Sequence, residues 1–309
     1  MANPDPQCAR AVMMVRPAAF GFNSQTAASN VFQQFEEAPA QAAALEEFAA
    51  LVRKLREAGV EVIVADDTPD PCKPDAIFPN NWVSFHRDGS VVLYPMSTPN
   101  RRSERREDLI EHVGREARAQ VRRIVDLSHR EATERYLEGT GSVVLDRVHR
   151  IAYAGLSPRT DLDVLGEFCQ RLDYEAVAFE ATDENGCAVY HTNVVMTVGE
   201  RFAVVCAEAI EDPARRRQVL DRLAATGRET VPISRAQMRS FAANCLQLDA
   251  PGGPVIVISS TALAALEDRQ RETLARHGRL IRAEVPTIER VGGGGVRCML
   301  AEIHLPARA

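Results

Sequence analysis

A recurring order of predicted elements is the feature that most limits the fold of this 309-residue chain. Four times, two short apolar runs joined by a turn are followed by a segment with helical spacing of its apolar residues and then by a third apolar run. The pattern returns at intervals of roughly fifty residues, a period typical of repeat architectures and propellers. The first runs begin at Trp82, Ser142, Val194 and Cys245, and the helical segments cover residues 104–113, 162–172, 213–226 and 261–277.

The two ends of the chain together supply a fifth unit. Near the N-terminus the sequence predicts a strand at 11–15, a helix at 41–58 and a strand at 60–64, whereas a single strand begins at Cys298 near the C-terminus. Each end has the elements that the other lacks. Pairing of the N- and C-terminal segments would therefore close five ββαβ-type units around a pseudo-fivefold axis, as an α/β-propeller in one domain over residues 1–309. The alternative is an open α/β sheet with loosely regular element lengths.

Composition narrows the cellular setting and the partners. With 45% hydrophobic residues the chain can bury a large core, and a net charge of −6 with a pI near 5.7 gives no reason to expect a nucleic-acid or membrane partner. No apolar run reaches the length of a membrane span, and the N-terminus lacks the layout of a signal peptide, so we expect a cytoplasmic protein. Seven scattered cysteines without a Cys-x-x-Cys pair indicate neither a disulfide framework nor a metal site. The oligomeric state is left open, with a homo-oligomer among the options.

Four consecutive glycines, Gly292–Gly295, stand just before Arg297 and Cys298. Glycine has no Cβ, so this backbone can turn sharply and leave room for a ligand. A glycine loop that cradles phosphate normally opens a helix, but the residues after Cys298 have the pattern of a strand. The segment therefore favours a nucleophilic cysteine over a phosphate loop, and the neighbouring Arg297 would favour its thiolate form.

A polar residue of a type used in catalysis stands just before the first strand of each predicted unit. In a ring of repeats these equivalent positions face one another across the axis, so they would share one pocket. His191 is a candidate general acid/base and Glu138 a candidate pocket carboxylate, against the ordinary alternatives of a satisfied core histidine and a solvated acid. The five residues are Asn81, Glu138, His191, Asn244 and Cys298.

Charged residues elsewhere offer contacts for a substrate. Arg102 or its neighbour Arg101, and likewise Arg159, could hold a carboxylate by a bidentate contact, although arginines beside acids are usually solvated. Asp75 could accept from a cationic ligand or belong to a turn. The sequence does not decide between Arg101 and Arg102.

Four segments give the chain a resemblance to a known group of enzymes. They are Asp-Ala-Ile-Phe-Pro-Asn-Asn-Trp at 75–82, Glu-Gly-Thr-Gly-Ser at 138–142, Tyr-His-Thr-Asn at 190–193 and Gly-Gly-Gly-Gly-Val-Arg-Cys-Met at 292–299. Over nearly its whole length the chain resembles the guanidino-group modifying enzymes of the pentein superfamily, which include arginine deiminase, dimethylarginine dimethylaminohydrolase and succinylarginine dihydrolase. The first segment and its continuation look most like the branch described as citrulline-utilisation hydrolases.

This resemblance implies a fold and a set of roles. The fold is the five-unit ring, the partner is a small amino-acid substrate, and no cofactor or metal is expected. Cys298 matches the nucleophile, His191 the general acid/base, and Glu138 the carboxylate that grips the planar head group of the substrate. Asp75 matches a substrate-binding aspartate of the family. Arg102 and Arg159 match the arginines that hold the amino-acid carboxylate of the substrate.

Asparagines distinguish this chain from arginine deiminases, which have an acidic residue at the place of Asn80-Asn81 and a second aspartate at that of Asn193. Amides both donate and accept, so Asn81 suits a neutral ureido group. We expect Asn80 and Asn244 to be further substrate contacts. We therefore expect a cysteine-dependent hydrolase that converts citrulline to ornithine, ammonia and carbon dioxide through a covalent S-linked intermediate. The alternatives are hydrolysis of a guanidino compound, as by arginine deiminase, dimethylarginine dimethylaminohydrolase or succinylarginine dihydrolase, amidino transfer, or a catalytically silent binding module.

Overall fold

Fifteen strands form five three-stranded sheets in the computed structural model, within the residues that it describes, 5–36 and 40–308. The outer limits of the expected domain, residues 1 and 309, lie outside these ranges. In chain order the strands are β1 (Ala11–Arg16), β2 (Glu61–Asp66), β3 (Val83–Phe85), β4 (Ser90–Leu93), β5 (Arg123–Asp126), β6 (Val144–Asp146), β7 (Ile151–Leu156), β8 (Glu175–Glu180), β9 (Met196–Val198), β10 (Phe202–Val205), β11 (Glu229–Pro232), β12 (Leu246–Leu248), β13 (Val255–Ser259), β14 (Arg279–Ala283) and β15 (Ala301–Ile303).

Every sheet has the same mixed order. A central strand pairs antiparallel with a strand of three residues on one side and parallel with a third strand on the other, as β4 does with β3 and β5. Four sheets use consecutive strands, and the fifth joins the chain ends in the order β15-β1-β2. There Ala11 lies opposite Ile303 in the antiparallel pair and opposite Glu61 in the parallel pair. The predicted pairing of the N- and C-terminal segments is therefore confirmed.

One helix of ten or more residues connects the central strand of each sheet to its parallel neighbour. These helices are Gln41–Glu57, Glu107–Glu116, Leu162–Leu172, Pro213–Ala225 and Asp268–His277. Asp212 caps the fourth, accepting from the backbone N–H of Ala214, as the Asp-Pro pair predicts. The helix predicted over 261–277 is broken, because Glu267 and Gln270 form a capping box that starts a new helix. None of the helices in the described ranges is long and apolar enough to cross a membrane.

Short helical turns precede the three-residue strands, and three of these turns include residues that the sequence predicts as strand: Gly139–Ser142, Thr192–Val195 and Val296–Met299. Neighbouring turns contact one another, so they meet at one end of the sheets. Gly139 shows how close they come, because a Cβ there would lie 2.1 Å from the carbonyl oxygen of Asn80. The short helices are Ser24–Ala27, Pro79–Asn81, Pro99–Arg102, Ser128–Thr133, Gly139–Ser142, Thr192–Val195, Ala207–Ala209, Arg235–Arg239, Ser260–Ala265, Ile288–Gly292 and Val296–Met299.

Candidate active site

A cavity lies where these helical turns meet. Of the residues singled out in the sequence, Glu138 and Asn244 contact its walls from behind, whereas Asn80 and Arg102 are absent from its lining. Among the described residues, no group of three or more histidine, cysteine, aspartate or glutamate side chains could hold a metal ion. The lining residues are Asn30, Asp75, Phe78, Asn81, Arg101, Arg159, Tyr190, His191, Gly292, Gly293, Gly294 and Cys298.

Cys298 lies on the turn Val296–Met299 with only 3% of its surface exposed. Two amide groups approach its sulfur, with Nδ2 of Asn244 at 3.3 Å and Nδ2 of Asn193 at 3.4 Å. Burial raises the pKa of Cys298, and the two amides and the Arg297 guanidinium oppose that rise. Arg297 acts from a distance, since its guanidinium group contacts Glu302 at 2.9 Å. The thiol is therefore neutral at neutral pH in the ligand-free protein.

His191 and Glu138 form a buried pair, with 2.9 Å between Nε2 and Oε2. Burial alone would raise the pKa of Glu138, but Arg159, His191 and Arg101 bring it well below its usual range. Burial lowers the pKa of His191 to about 4, although Glu138 opposes this effect. An ionised carboxylate only accepts, so Nε2 of the neutral imidazole carries the proton. Nδ1 is left with a free lone pair for a proton from the cavity.

Protein groups occupy both oxygens of Glu138. Oε1 accepts from the backbone N–H of Ser97 at 3.0 Å. Oε2, which already accepts from His191, lies 3.5 Å from Nη1 of Arg159 and 3.9 Å from Nη1 of Arg101. In this arrangement Glu138 orients the imidazole and balances two buried guanidinium groups.

Arg101, rather than Arg102, lies at the cavity. Its side chain is 3% exposed, contacts both carboxylate oxygens of Glu104 at 2.9 Å, and donates to Oδ1 of Asn81 at 2.9 Å. Arg102 is turned outward, with Nε 3.2 Å from the carbonyl oxygen of Met96. The family resemblance matches Arg102 to a carboxylate-holding arginine, but the structure places Arg101 at the cavity instead. The two side chains point in different directions because successive residues on a helical turn are rotated by about 100°.

Asn80 and Asn81 occupy different environments although they are adjacent. Asn81 lines the cavity, and its Nδ2 donates to Oδ1 of Asn80 at 3.0 Å. Asn80 is fully buried behind it, with Nδ2 unpartnered in the described part of the chain. Direct contact with a substrate is therefore open to Asn81 but not to Asn80 in this conformation.

Residues 23–30 cover the charged end of the cavity, and sequence reasoning missed them. Thr26 contributes its carbonyl oxygen and Ser29 its hydroxyl as acceptors for Nη2 of Arg159, at 2.8 and 2.7 Å. Asn23 donates to Oδ2 of Asp75 at 2.7 Å, while the buried Oδ1 of Asp75 accepts from no donor among the described residues. The available signal was the long polar connection between the first predicted strand and helix, since long connections are often functional.

Tyr190 was also missed as a site member, and together with Asn30 it contacts the glycine loop. Tyr190 donates to the carbonyl oxygen of Gly293 at 2.5 Å, and its ring centre lies 4.6 Å from that of His191. Asn30 donates to the same carbonyl at 3.2 Å. Both contacts hold the glycine loop over the cavity.

Comparisons with known proteins fit this architecture. The family model described as N,N dimethylarginine dimethylhydrolase, eukaryotic, matches residues 16–305 of the chain. No curated protein sequence is similar enough to count as a relative. Apo ArgZ, described as an arginine dihydrolase from the ornithine-ammonia cycle in Cyanobacteria, superposes with a TM-score of 0.75 at 18% identity over 96% of this chain, which spans only 41% of the ArgZ chain.

Two ligand-bound structures superpose over nearly their whole length. The N-terminal domain of ArgZ from Cyanobacteria, a cysteine-to-serine mutant bound to substrate, gives a TM-score of 0.75 at 18% identity, covering 96% of this chain and 99% of that one. The corresponding mutant of DDAH from Pseudomonas aeruginosa, complexed with citrulline, gives 0.67 at 18% identity, covering 95% and 99%. At such identities these likenesses show a shared α/β fold.

Proposed function

The chain belongs to the N,N dimethylarginine dimethylhydrolase family, within the guanidino-group modifying enzymes of the pentein superfamily, and from this premise we propose a cysteine-dependent hydrolase of carbon–nitrogen bonds. Its preferred substrate is citrulline, which it converts to ornithine, ammonia and carbon dioxide. The observation that carries this proposal is the presence of Cys298, the His191–Glu138 pair and two buried arginines around one cavity whose reacting end is lined by amides.

The protonation states of the free protein suit an attack that begins with a proton transfer. The neutral thiol holds the proton that the departing nitrogen needs, and the neutral imidazole can accept this proton at Nδ1. In the proposed reaction Cys298 gives its proton to Nδ1 of His191 as its sulfur attacks the planar carbon. Glu138 stabilises the imidazolium that forms, and the imidazolium protonates the nitrogen that leaves as ammonia.

Hydrolysis then releases the covalent intermediate. The neutral His191 accepts a proton from water while the water oxygen bonds to the carbon. The carbon–sulfur bond then breaks, and the imidazolium returns this proton to the sulfur, which regenerates the thiol and the neutral imidazole. The product carbamate loses carbon dioxide to give ornithine. Tight positioning by buried side chains supports both steps, because the reacting groups are held without further ordering.

The polar groups at the reacting end support a ureido head group. Asn193 and Asn244 lie at the sulfur, and Asn81 lines the cavity nearby. Glu138 is the nearest carboxylate to His191, but protein donors already occupy both of its oxygens. A guanidinium group carries only donors and needs acceptors, whereas a ureido oxygen needs donors such as amide N–H groups.

The charged end supports an amino-acid tail. The unpartnered Oδ1 of Asp75 could accept from the α-ammonium group, and Nη1 of Arg159 faces the interior near Glu138. The same free oxygen of Asp75 favours a second candidate function, the hydrolysis of a cationic substrate such as arginine or dimethylarginine. Amidino transfer, in which an amine replaces water in the second step, uses the same first step.

Incubation with citrulline, arginine, dimethylarginine and agmatine tests these functions, with ammonia, dimethylamine, citrulline and ornithine as the measured products. We expect ammonia and ornithine from citrulline and a smaller kcat/KM for the others. The Cys298→Ser variant serves as the control for contaminating activity. Ammonia from arginine, or dimethylamine from dimethylarginine, without ammonia from citrulline would refute the ureido preference. Release of neither amine from any of the four compounds would favour transfer or binding.

The architecture of the chain is part of the proposal. We infer one domain over residues 1–309 in which the five sheets surround a pseudo-fivefold axis as a closed α/β-propeller. The β15–β1 pairing and the contacts between successive helical turns support this arrangement.

A further inference from the structure

Asn244 is fixed in one orientation by two backbone groups. Its Oδ1 accepts from the backbone N–H of Arg297 at 3.0 Å, and its Nδ2 donates to the carbonyl oxygen of Asn193 at 3.3 Å. An N–H can only donate and a carbonyl oxygen can only accept, so the amide cannot be flipped without losing both bonds. The second hydrogen on Nδ2 must therefore point toward Sγ of Cys298, which lies 3.3 Å away.

Gly295 is shaped around this amide. Its φ of −91° and ψ of −168° are extended values that any residue adopts, so the backbone does not require glycine there. A Cβ on Gly295 would instead lie 2.6 Å from Oδ1 of Asn244, which is closer than real contacts allow. The fourth glycine of the loop is thus explained by the space that Asn244 occupies.

The turn that delivers Asn244 is maintained against a local preference. Phe241 has a φ of +60°, in the left-handed region that a bulky residue seldom adopts. The backbone N–H of Asn244 then donates to the carbonyl oxygen of Phe241 at 2.8 Å. Unfavourable backbone conformations of this kind persist where the surrounding structure holds them, and they concentrate at functional sites.

We propose that Asn244 is a catalytic residue whose fixed amide donor stabilises the thiolate of Cys298, and that this contact requires a residue without a side chain at position 295. The proposal rests on the proposed function only in taking Cys298 as the nucleophile. Asn193 assists with a donor at 3.4 Å, but the buried Oδ1 of Asn193 has no described partner that fixes its orientation. The sequence alone predicts Asn244 as a substrate contact, whereas in this proposal Asn244 acts on the sulfur.

Loss of the Asn244 donor and loosening of the glycine loop would shift the pKa of Cys298 in opposite directions, which makes the proposal testable. Burial raises the pKa of Cys298, and the Asn244 hydrogen bond is the first among the contacts that lower it. Loss of a donor to the thiolate would raise the pKa further, whereas simple loosening of the loop would expose the thiol and lower the pKa toward that of an ordinary cysteine. Charged or titratable side chains around the sulfur are Asp75, Arg101, Arg159, Tyr190, His191 and Arg297.

The test is the pH dependence of Cys298 alkylation by iodoacetamide, followed by peptide mass spectrometry because the exposed Cys72 and Cys187 also react. For Asn244→Ala we expect the midpoint to rise by about 1 to 2 pH units, the amount that a hydrogen bond to a charged group supports. Asn30→Ala is the matched control, since Asn30 contacts the glycine loop at Gly293 and not the sulfur. Its midpoint should not rise, because this substitution loosens the glycine loop without removing a donor to the sulfur.

Gly295→Ala supplies a second variant that leaves the amide in the chain. The added methyl group should displace Asn244 and raise the midpoint in the otherwise native protein. In the Asn244→Ala background the same change should have no further effect, because the Cβ of residue 244 lies 3.5 Å away, an ordinary contact. Such non-additivity is expected of residues in contact.

The possible results separate this proposal from the proposed function. A midpoint that stays constant or falls in folded Asn244→Ala would overturn the role of Asn244, even with full turnover of citrulline in the native protein. A raised midpoint with no turnover of any tested substrate would support the role of Asn244 and refute the hydrolase. Additive effects of the two substitutions would overturn the explanation of Gly295.

Discussion

Replacing Arg101 by alanine should damage the protein far more than replacing its neighbour Arg102. The carboxylate of Glu104 is almost fully buried, and both of its oxygens contact the guanidinium group of Arg101. Without Arg101, this carboxylate would stay in the interior without a counter-ion, and Oδ1 of Asn81 would lose its donor. Breaking a buried ion pair from one side costs about 3–5 kcal/mol of unfolding free energy.

The same substitution at Arg102 removes much less. Its side chain is 33% exposed, and Glu131, which it approaches to 3.3 Å, keeps a second partner in Arg105. Partly exposed ion pairs contribute about 0.2–1 kcal/mol. We therefore expect a difference of at least about 2 kcal/mol between the two variants.

Urea denaturation measures this difference, with fluorescence of the single tryptophan, Trp82, and circular dichroism as independent probes. A double variant, Arg101→Met with Glu104→Gln, should recover more than half of the stability lost in Arg101→Ala, because the charge of Glu104 is removed together with its counter-ion. Activity should follow the same order, with Arg102→Ala close to the native protein. Equal losses of stability in the two alanine variants would refute this reasoning.

Further predictions concern the residues around the sulfur. Cys298→Ser should abolish ammonia release from citrulline without changing the urea midpoint, and retained turnover would exclude Cys298 as the nucleophile. The pKa of His191 is lowered to about 4, so between about pH 6.5 and 4 the unfolded chain binds a proton that the folded protein does not, and the unfolding free energy falls as the pH falls. His191→Gln should remove up to about 3 kcal/mol of this fall. Urea midpoints that depend on pH identically in both proteins would contradict this prediction. Gly141→Ala should lower kcat, because a Cβ there would lie 2.6 Å from Nδ2 of Asn81 and 2.8 Å from Nδ1 of His191, and an unchanged kcat would show that these groups do not need their present positions. Asn193→Asp should raise kcat/KM for arginine relative to citrulline, since a carboxylate beside the head group favours a cation, and a competition assay that finds no change would argue against a head group at that place.

The five units could be predicted because buried strands and amphipathic helices each carry a pattern of their own. The break between Ser260–Ala265 and Asp268–His277 could not, since the apolar spacing continues through it and the capping box at Glu267 decides where the second helix starts. The helical turns before the three-residue strands were missed for a related reason. A segment of four residues is too short to show a helical period, and its shape depends on contacts with the neighbouring turn.

The candidate site was predictable in position but not in the direction of each side chain. The repeat places Glu138, His191 and Asn244 at equivalent points of successive units, and the structure brings them around Cys298. The sequence could not predict whether Arg101 or Arg102 lies at the cavity, because both are on the short helical turn Pro99–Arg102 and no local pattern separates them. Residues 23–30 reach the cavity through the tertiary fold, which a single sequence does not specify.

The amides at the sulfur and the proposed preference for a neutral head group are connected by electrostatics. Transfer of a proton from Cys298 to His191 creates two charges in a buried site, where unbalanced charge is costly. Glu138 stabilises the imidazolium, so the thiolate is the charge that still needs support. A guanidinium substrate would bring a positive charge to the thiolate, whereas a ureido substrate brings none. An enzyme for citrulline must therefore stabilise the thiolate from its own side chains. The amide nitrogens of Asn244 and Asn193, at 3.3 and 3.4 Å from the sulfur, lie where such donors are needed, so the two proposals support each other.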